Sequence, residues 1–203
     1  INDDNYTALM TAACYGHVGC ITMLYYVFDN KVDVNMVNGD NQTALELAIK
    51  NRHTKCAIKL CVLFGDKIHT NLDKILIGAV SNCYDDVLLA LHKYCNHNIN
   101  WESGDLLESS ILFKINFNQH ELFKILHGCW GDIIDINARD LNSKTVLMHV
   151  VQYNNSDAIK MIHECWGDKL HIEEVDNNNR NVLSMTTDSE CLKVLLDCLL
   201  NCL

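Results

Sequence analysis

Thiols and imidazoles carry the most reactive chemistry in this chain: eleven cysteines and ten histidines among 203 residues. His127-x-Cys129 recurs as His163-x-Cys165, and Cys198-x-x-x-Cys202 lies near the end. Zinc sites bring such ligands in closely spaced pairs, with a second pair downstream. A two-residue step on a helix sends side chains to different faces, and the Cys198/Cys202 pair has no histidine partner. Nucleophilic catalysis needs a thiol or hydroxyl beside an oriented base, and no cysteine sits in a recognisable local signature. No G-x-G-x-x-G, Walker-type loop or HExxH occurs. The acidic pairs Asp85-Asp86 and Glu173-Glu174 read as solvated loop faces. These patterns lead us to expect no catalytic residue, no metal site and no cofactor.

The cysteines lie mostly within apolar stretches such as "AIKLCVL" and "SECLKVLLDCLLNCL", where a thiol behaves as a small hydrophobe. A secreted disulfide scaffold is shorter and richer in loops, so reduced thiols and a cytoplasmic, reducing compartment are expected. A composition 49% hydrophobic and 21% charged suits an ordered protein. Acids outnumber bases 26 to 16, a net charge of −10. The bases are scattered, whereas a phosphate backbone calls for clustered Lys and Arg, which disfavours nucleic acid and anionic membrane surfaces as partners. No apolar run approaches the roughly 18 residues of a membrane span. The chain starts at "INDDNYT" without Met, which reads as a piece of a longer protein. Proline, the strongest helix breaker, is absent.

Cys-Trp-Gly-Asp stands at 129–132 and again at 165–168. It is either a set of paired ligands or one corner of a unit built twice. The flanks point to a repeat. "SSILFKI" (109–115), "TVLMHVV" (145–151) and "NVLSMTT" (181–187) align with one another. "TALMTAACYGHVGCITML" (7–24) aligns with "TALELAIKNRHTKCAIKL" (43–60), and a weaker copy begins at Lys74. The equivalent positions are Thr7, Thr43, Lys74, Ser109, Thr145 and Asn181, spaced by 36, 31, 35, 36 and 36 residues.

Each unit opens on a residue suited to cap a helix, followed by a short apolar helix, a polar turn and a second helix such as "DAIKMIHEC". Asn30, Gly65, Gly131 and Gly167 follow the second helices and are expected in the left-handed conformation that ends a helix. "VDVNMVNGDNQ", "IDINARDLNSK" and "HIEEVDNNNRN" then suit a tight turn. Trp130 and Trp166 are expected to close second helices and pack against the neighbouring copy. The alternative is an aromatic pair at a partner surface.

"T-A-L-M-x-A-A-x-x-G-H-x-x-x-I-x-x-L" followed by "VDVN" resembles the ankyrin repeat, whose period is about 33 residues around T-P-L-H-x-A. Residues 7–35 carry the likeness best, 43–65 and 140–176 less closely, and 74–100 and 104–137 in degenerate form. The resemblance implies an all-α fold with short β-hairpin turns, an ankyrin-repeat α-solenoid of stacked helix-turn-helix units. It implies a single array over residues 1–203, with units near 2–37, 38–68, 69–103, 104–139, 140–175 and 176–203. Ala8, Ala44 and Val146 depart from it by replacing the family's proline, Lys114 falls where a small residue is usual, and the last unit lacks about two residues between its helices. One helix pair cannot bury both faces, so neighbouring copies must cover each other. Ala12, Ala13, Ala48 and Ala79 allow close approach. Leu9, Leu45, Ile111, Leu147 and Leu183 are expected to form one core row, and Ile21, Ile58 and Ile159 with Leu24 another.

In the family, partners are held on the concave face, by the turn tips and the exposed ends of the first helices. Carried over, the helix ends are Tyr15, Lys50, Asn51, Asn82, Phe117, Gln152 and Tyr153. The tips are Asp40, Gln42, Leu141, Asn142, Lys144, Asn177 and Arg180. Tyr15, Phe117 and Tyr153 share one position of the unit. Aromatic anchors carry much of an interface's energy, and the acidic balance favours a partner with a basic segment. The resemblance therefore implies a monomeric, non-enzymatic scaffold that binds a partner protein or peptide. Two alternatives stand beside it: a targeting domain of a larger microbial or viral effector or enzyme with its chemistry elsewhere, and a metal or redox protein using the thiols. The Asn-rich, Pro-free composition suits an AT-rich genome, and for a pathogen's protein the compartment would be the host cytoplasm.

Overall fold

The computed structural model describes residues 5–28, 31–95, 99 and 120–200. It divides into two compact units, Ile1–Glu102 and Ser103–Leu203. The first holds α1 (Ala8–Cys14), α2 (Val18–Phe28), α3 (Ala44–Lys50), α4 (Thr54–Phe64), α5 (Leu72–Asn82) and α6 (Asp85–Cys95). The second holds α7 (His120–Trp130), α8 (Val146–Gln152), α9 (Ser156–Trp166), α10 (Val182–Met185) and α11 (Ser189–Leu200). Among the described residues there is no strand.

The helices start where the cap residues predict. The Thr7 hydroxyl accepts from the Met10 amide at 3.1 Å, Thr43 from Glu46 at 3.2 Å and Thr145 from Met148 at 3.4 Å. The Asn181 carboxamide accepts from Ser184 at 2.9 Å. Glu46 closes a capping box by accepting from the Thr43 amide at 2.8 Å. Lys74 is not a cap, because α5 starts earlier, behind Asn71. Its register survives at the other end, where Arg52 and Cys83 both take left-handed backbone after a first helix. Ser109 lies outside the described residues.

Two left-handed positions recur. One precedes the cap (Asn5, Asn41, Ser143, Asn179), and the other follows the first helix (Gly16, Arg52, Cys83, Asn154). Asn recurs at these positions because its short polar side chain tolerates that conformation. The glycines after the second helices do not share it. Gly65 and Gly167 are right-handed, at φ −50° and −47°, and lead into 3-10 turns. At Gly65 space requires glycine instead: a Cβ there would lie 2.4 Å from the Tyr94 carbonyl oxygen. Asn30 lies outside the described residues.

Packing runs helix to equivalent helix. In the first unit α1 lies on α3, α2 on α4, α3 on α5 and α4 on α6; in the second α7 lies on α9, α8 on α10 and α9 on α11. Leu9, Leu45 and Leu147 are buried as expected, each stabilising its layer by roughly 1.5–3 kcal/mol. Leu183 is exposed, because α10 is a single turn in which Val182 and Met185 take the inward positions. The residues missing from the last unit thus shorten its first helix. Ile21 and Ile159 are buried, but Ile58 is only half-buried. Ala57 occupies its place, so the expected row was out by one residue. Ala12, Ala13, Ala48 and Ala79 are buried, while Ile111 and Lys114 lie outside the described residues.

Two sequence words turn out to be joints. In "DVN" the Asn35 carboxamide donates to the Lys67 carbonyl at 2.7 Å and accepts from the amides of His69 and Thr70 at 3.0 and 3.2 Å. In "DIN" Asn137 donates to Lys169 at 2.7 Å and accepts from His171 at 2.9 Å. Asp33 and Asp135 hold these asparagines by accepting from their backbone amides, each at 2.9 Å. The Cys-Trp-Gly-Asp corner works similarly. Trp166 is fully buried, donates through Nε1 to the Gly131 carbonyl at 3.3 Å, and meets the His127 ring edge-on at 4.8 Å. Phe64 meets Tyr25 edge-on at 5.1 Å, from the same helix positions. Trp130 is buried as well, so these tryptophans are not an exposed pair.

Candidate interaction surface

Three turns carry the predicted tips. Backbone bonds close them from Asn38 to Gln42 (3.0 Å), Asp140 to Lys144 (2.9 Å) and Asp176 to Arg180 (3.0 Å), each amide donating to the later carbonyl. The first side chain of each turn braces it from inside. Asn38 Oδ1 accepts from the amides of Asp40 and Gln42 at 3.1 and 2.8 Å. Asp140 Oδ1 accepts from Asn142 and Lys144, both at 2.8 Å, and Asp176 Oδ1 from Asn178 and Arg180 at 2.9 and 3.0 Å.

The second atom of each brace differs. Asp176 Oδ2 receives Arg180 Nε at 3.1 Å and Nη2 at 2.7 Å. These guanidinium bonds, helped by the two amides, outweigh burial and hold the Asp176 carboxyl at about 2. Asp140 Oδ2 lies 2.9 Å from His149 Nε2. Burial alone would raise the Asp140 carboxyl, but bonds from the Lys144 amide, His149 and the Asn142 amide bring it below the ordinary value. Asn38 Nδ2 is buried without a hydrogen-bond partner.

The helix ends divide by role. Asn51 and Asn82 turn back on their own helices, donating to the carbonyls of Leu47 and Gly78, each at 2.8 Å. Asn51 Nδ2 also lies 3.6 Å from Cys14 Sγ on the neighbouring helix pair. Arg180 serves the Asp176 brace. Asn177 donates through its amide to the Asn142 carbonyl at 3.1 Å and through Nδ2 to the Leu141 carbonyl at 3.4 Å, tying two tips together. Lys144 Nζ donates to Gln152 Oε1 at 3.1 Å, joining a tip to the end of α8. On this base stand large exposed side chains: Leu141 is 98% exposed and Tyr153 71%, while Tyr15, in the first unit, is 67% exposed. Asp40, Lys50, Asn142 and Gln152 are exposed, and Gln42 is half-buried. Phe117 lies outside the described residues. The sequence reading missed Asp140 and Asp176 as braces, although Asp-x-x-x-Lys and Asp-x-x-x-Arg were a readable signal.

Burial raises the thiols of Cys56, Cys129 and Cys165 above the ordinary value. The hydrogen bond that Cys61 donates to Cys95, with burial, pushes Cys61 well up and lowers Cys95, and burial with the Asp188 carboxylate raises Cys191 to about 11, which disfavours the reactive thiolate at Cys61 and Cys191. Among the described residues no three His, Cys, Asp or Glu side chains converge as metal ligands, and no helix is long and apolar enough to cross a membrane.

Residues 1–63 match the family model for ankyrin repeats (many copies). No curated protein matches the sequence. Among solved structures, the ankyrin repeat domain of Bcl-3, described as a member of the IkappaB protein family, is similar with a TM-score of 0.65 at 12% identity, over 96% of this chain and 100% of that one. The human ASB11 ankyrin repeat domain gives a TM-score of 0.42 at 14% identity, over 95% of this chain and 98% of that one. Residues 1–63 thus match the ankyrin-repeat family, and the chain has the fold of an ankyrin-repeat solenoid.

Proposed function

We propose that the chain is a non-enzymatic recruiter of a partner protein, and that the tip and helix-end surface of the second unit is its grip. The ankyrin-repeat fold is typically a protein–protein interaction module, and fold alone does not name the partner. Leu141 carries the reading. It is a leucine left almost wholly in water at the tip of a turn that is braced from within and bonded to the next tip, with Tyr153 exposed beside the Lys144–Gln152 link. A rigid mount for an exposed apolar side chain suits docking, because little ordering remains for binding to impose. The net charge of −10 steers a partner segment rich in Lys and Arg. Tyr15 offers a like-placed aromatic in the first unit. Free thiols, with Cys56, Cys61, Cys95 and Cys191 buried, fit a reducing, cytoplasmic setting.

The test is capture of a partner by the purified chain, repeated with Leu141→Ser and Tyr153→Ala. We expect each variant to lose the partner while keeping its melting temperature. Undiminished capture by the double variant would overturn the assignment of the surface. A targeting role within a larger effector or enzyme predicts the same capture and differs only in what the full reading frame encodes.

A further inference from the structure

The turns at 38–42, 140–144 and 176–180 close with the same backbone bond, yet their second residues are Gly39, Leu141 and Asn177. A leucine and an asparagine fill that place without difficulty. Among the described residues Gly16 is the only glycine with positive φ. The shape of the first turn therefore does not require Gly39. What glycine does change is access to the side chain before it, because no Cβ screens its amide nitrogen. Asn38-Gly39 is the one asparagine–glycine pair in the chain.

The setting of Asn38 favours attack on its own carboxamide. Its Oδ1 accepts from the amides of Asp40 and Gln42 at 3.1 and 2.8 Å. Two N–H groups aimed at one carbonyl oxygen draw charge from Cγ and stabilise the oxyanion that forms when a nucleophile adds there. Nδ2 is buried without a hydrogen-bond partner, so no bond holds it back as a leaving group. Gly39 is exposed, and among the described residues nothing accepts from its amide, which leaves that proton open to solvent. The Asn38 side chain is buried, but the nucleophile is the next residue of the chain and needs no path in.

We propose that Asn38 is a self-deamidation site of the folded chain, at which the neutral brace of this turn becomes acidic. The Gly39 nitrogen gives its proton to a solvent base and bonds to Cγ. The Cγ–Nδ2 bond breaks, and Nδ2 takes a proton from water and leaves as ammonia. Water then opens the cyclic imide. Cleavage at Cγ gives aspartate, and cleavage at the main-chain carbonyl gives an isoaspartate linkage. One water enters, one ammonia leaves, and nothing is oxidised. The sister turns already carry aspartate here, as Asp140 and Asp176. The positions that supply His149 and Arg180 to them are held in this turn by Leu47 and Gln42. The new carboxylate lacks those partners, which weakens the turn. The isoaspartate lengthens the main chain and shifts the Asp40 and Gln42 amides off the brace.

The test is to age the purified, folded chain in mildly alkaline buffer and follow each asparagine by peptide mass mapping. We expect acid to accumulate at position 38 roughly tenfold faster than at Asn142, which precedes Ser143 in the sister turn. Gly39→Ala, whose fold is checked by circular dichroism, should slow conversion at 38 by roughly tenfold or more. The acidic fraction, separated by anion exchange, should melt below the parent. Equal rates at Asn38 and Asn142 overturn the proposal, as does a rate indifferent to Gly39→Ala. Conversion in urea but not in the folded chain also overturns it, since the fold would then protect the site. An acidic fraction that melts with the parent overturns the weakening of the turn.

Discussion

In the turn at 38–42, Asn38 braces two amides with one oxygen and leaves its buried Nδ2 without a partner. In the turns at 140–144 and 176–180, aspartates brace two amides in the same way and give the second oxygen to His149 or Arg180. The backbones match. One acceptor atom therefore suffices for the shape, and what occupies the other atom decides whether the turn carries a charge and responds to acid.

The largest effect expected from this contrast is at Asp140. Asp140→Ala leaves the Asn142 and Lys144 amides and the His149 ring without their acceptor, which costs about 2–3 kcal/mol. Urea unfolding followed by tryptophan fluorescence measures it, and a change within error would show that water replaces the brace. Next comes Asn38→Asp, which puts a charge at a buried atom that has no hydrogen-bond partner. It should destabilise by about 1–2 kcal/mol at neutral pH. Adding Gln42→Arg copies the Asp176–Arg180 pair and should recover most of that loss; strictly additive effects would mean the pairing does not transfer.

Smaller still is Asn38→Ala. It removes the brace but also the orphan donor, so about 1 kcal/mol is expected, less than for Asp140→Ala. The smallest effect at neutral pH is Asp176→Asn, since Arg180 is half in solvent and the pair is screened. Its signature lies in acid. The Asp176 carboxyl moves from 3.8 to about 2 on folding. Because the folded value is depressed, its contribution is complete above pH 3.8 and disappears as the pH falls to about 2. Acid titration of the Asn variant should be flatter through that interval, and an unchanged slope would detach Asp176 from the acid response.

The repeat and most of its helix starts were legible because a cap is a local signal: Thr7, Thr43, Thr145 and Asn181 act on amides three residues away. The asparagine joints were half legible. Asn35 and Asn137 stand in visible words, but their partners lie 32 to 35 residues on. Gly65 and Gly167 were misread because glycine serves two purposes, left-handed backbone and absence of bulk, and only the neighbouring Tyr94 carbonyl shows which applies at Gly65. Leu183 follows a buried pattern yet is exposed, and Leu24 is only half-buried, because burial belongs to the neighbour as much as to the residue. At the candidate surface, Tyr15, Leu141 and Tyr153 were found by position. The asparagines beside them were not separable into structural and exposed until their hydrogen bonds were known.

The deep seating of Trp130 and Trp166 has an optical consequence. Two of the three indoles, Trp130 and Trp166, fall in the second compact unit and Trp101 falls in the first, so in a Trp101→Phe chain ultraviolet emission excited at the red edge reports on the second unit alone. Heating the chain while recording emission wavelength and far-ultraviolet ellipticity together would let each half announce its own melting, with no dye or label attached.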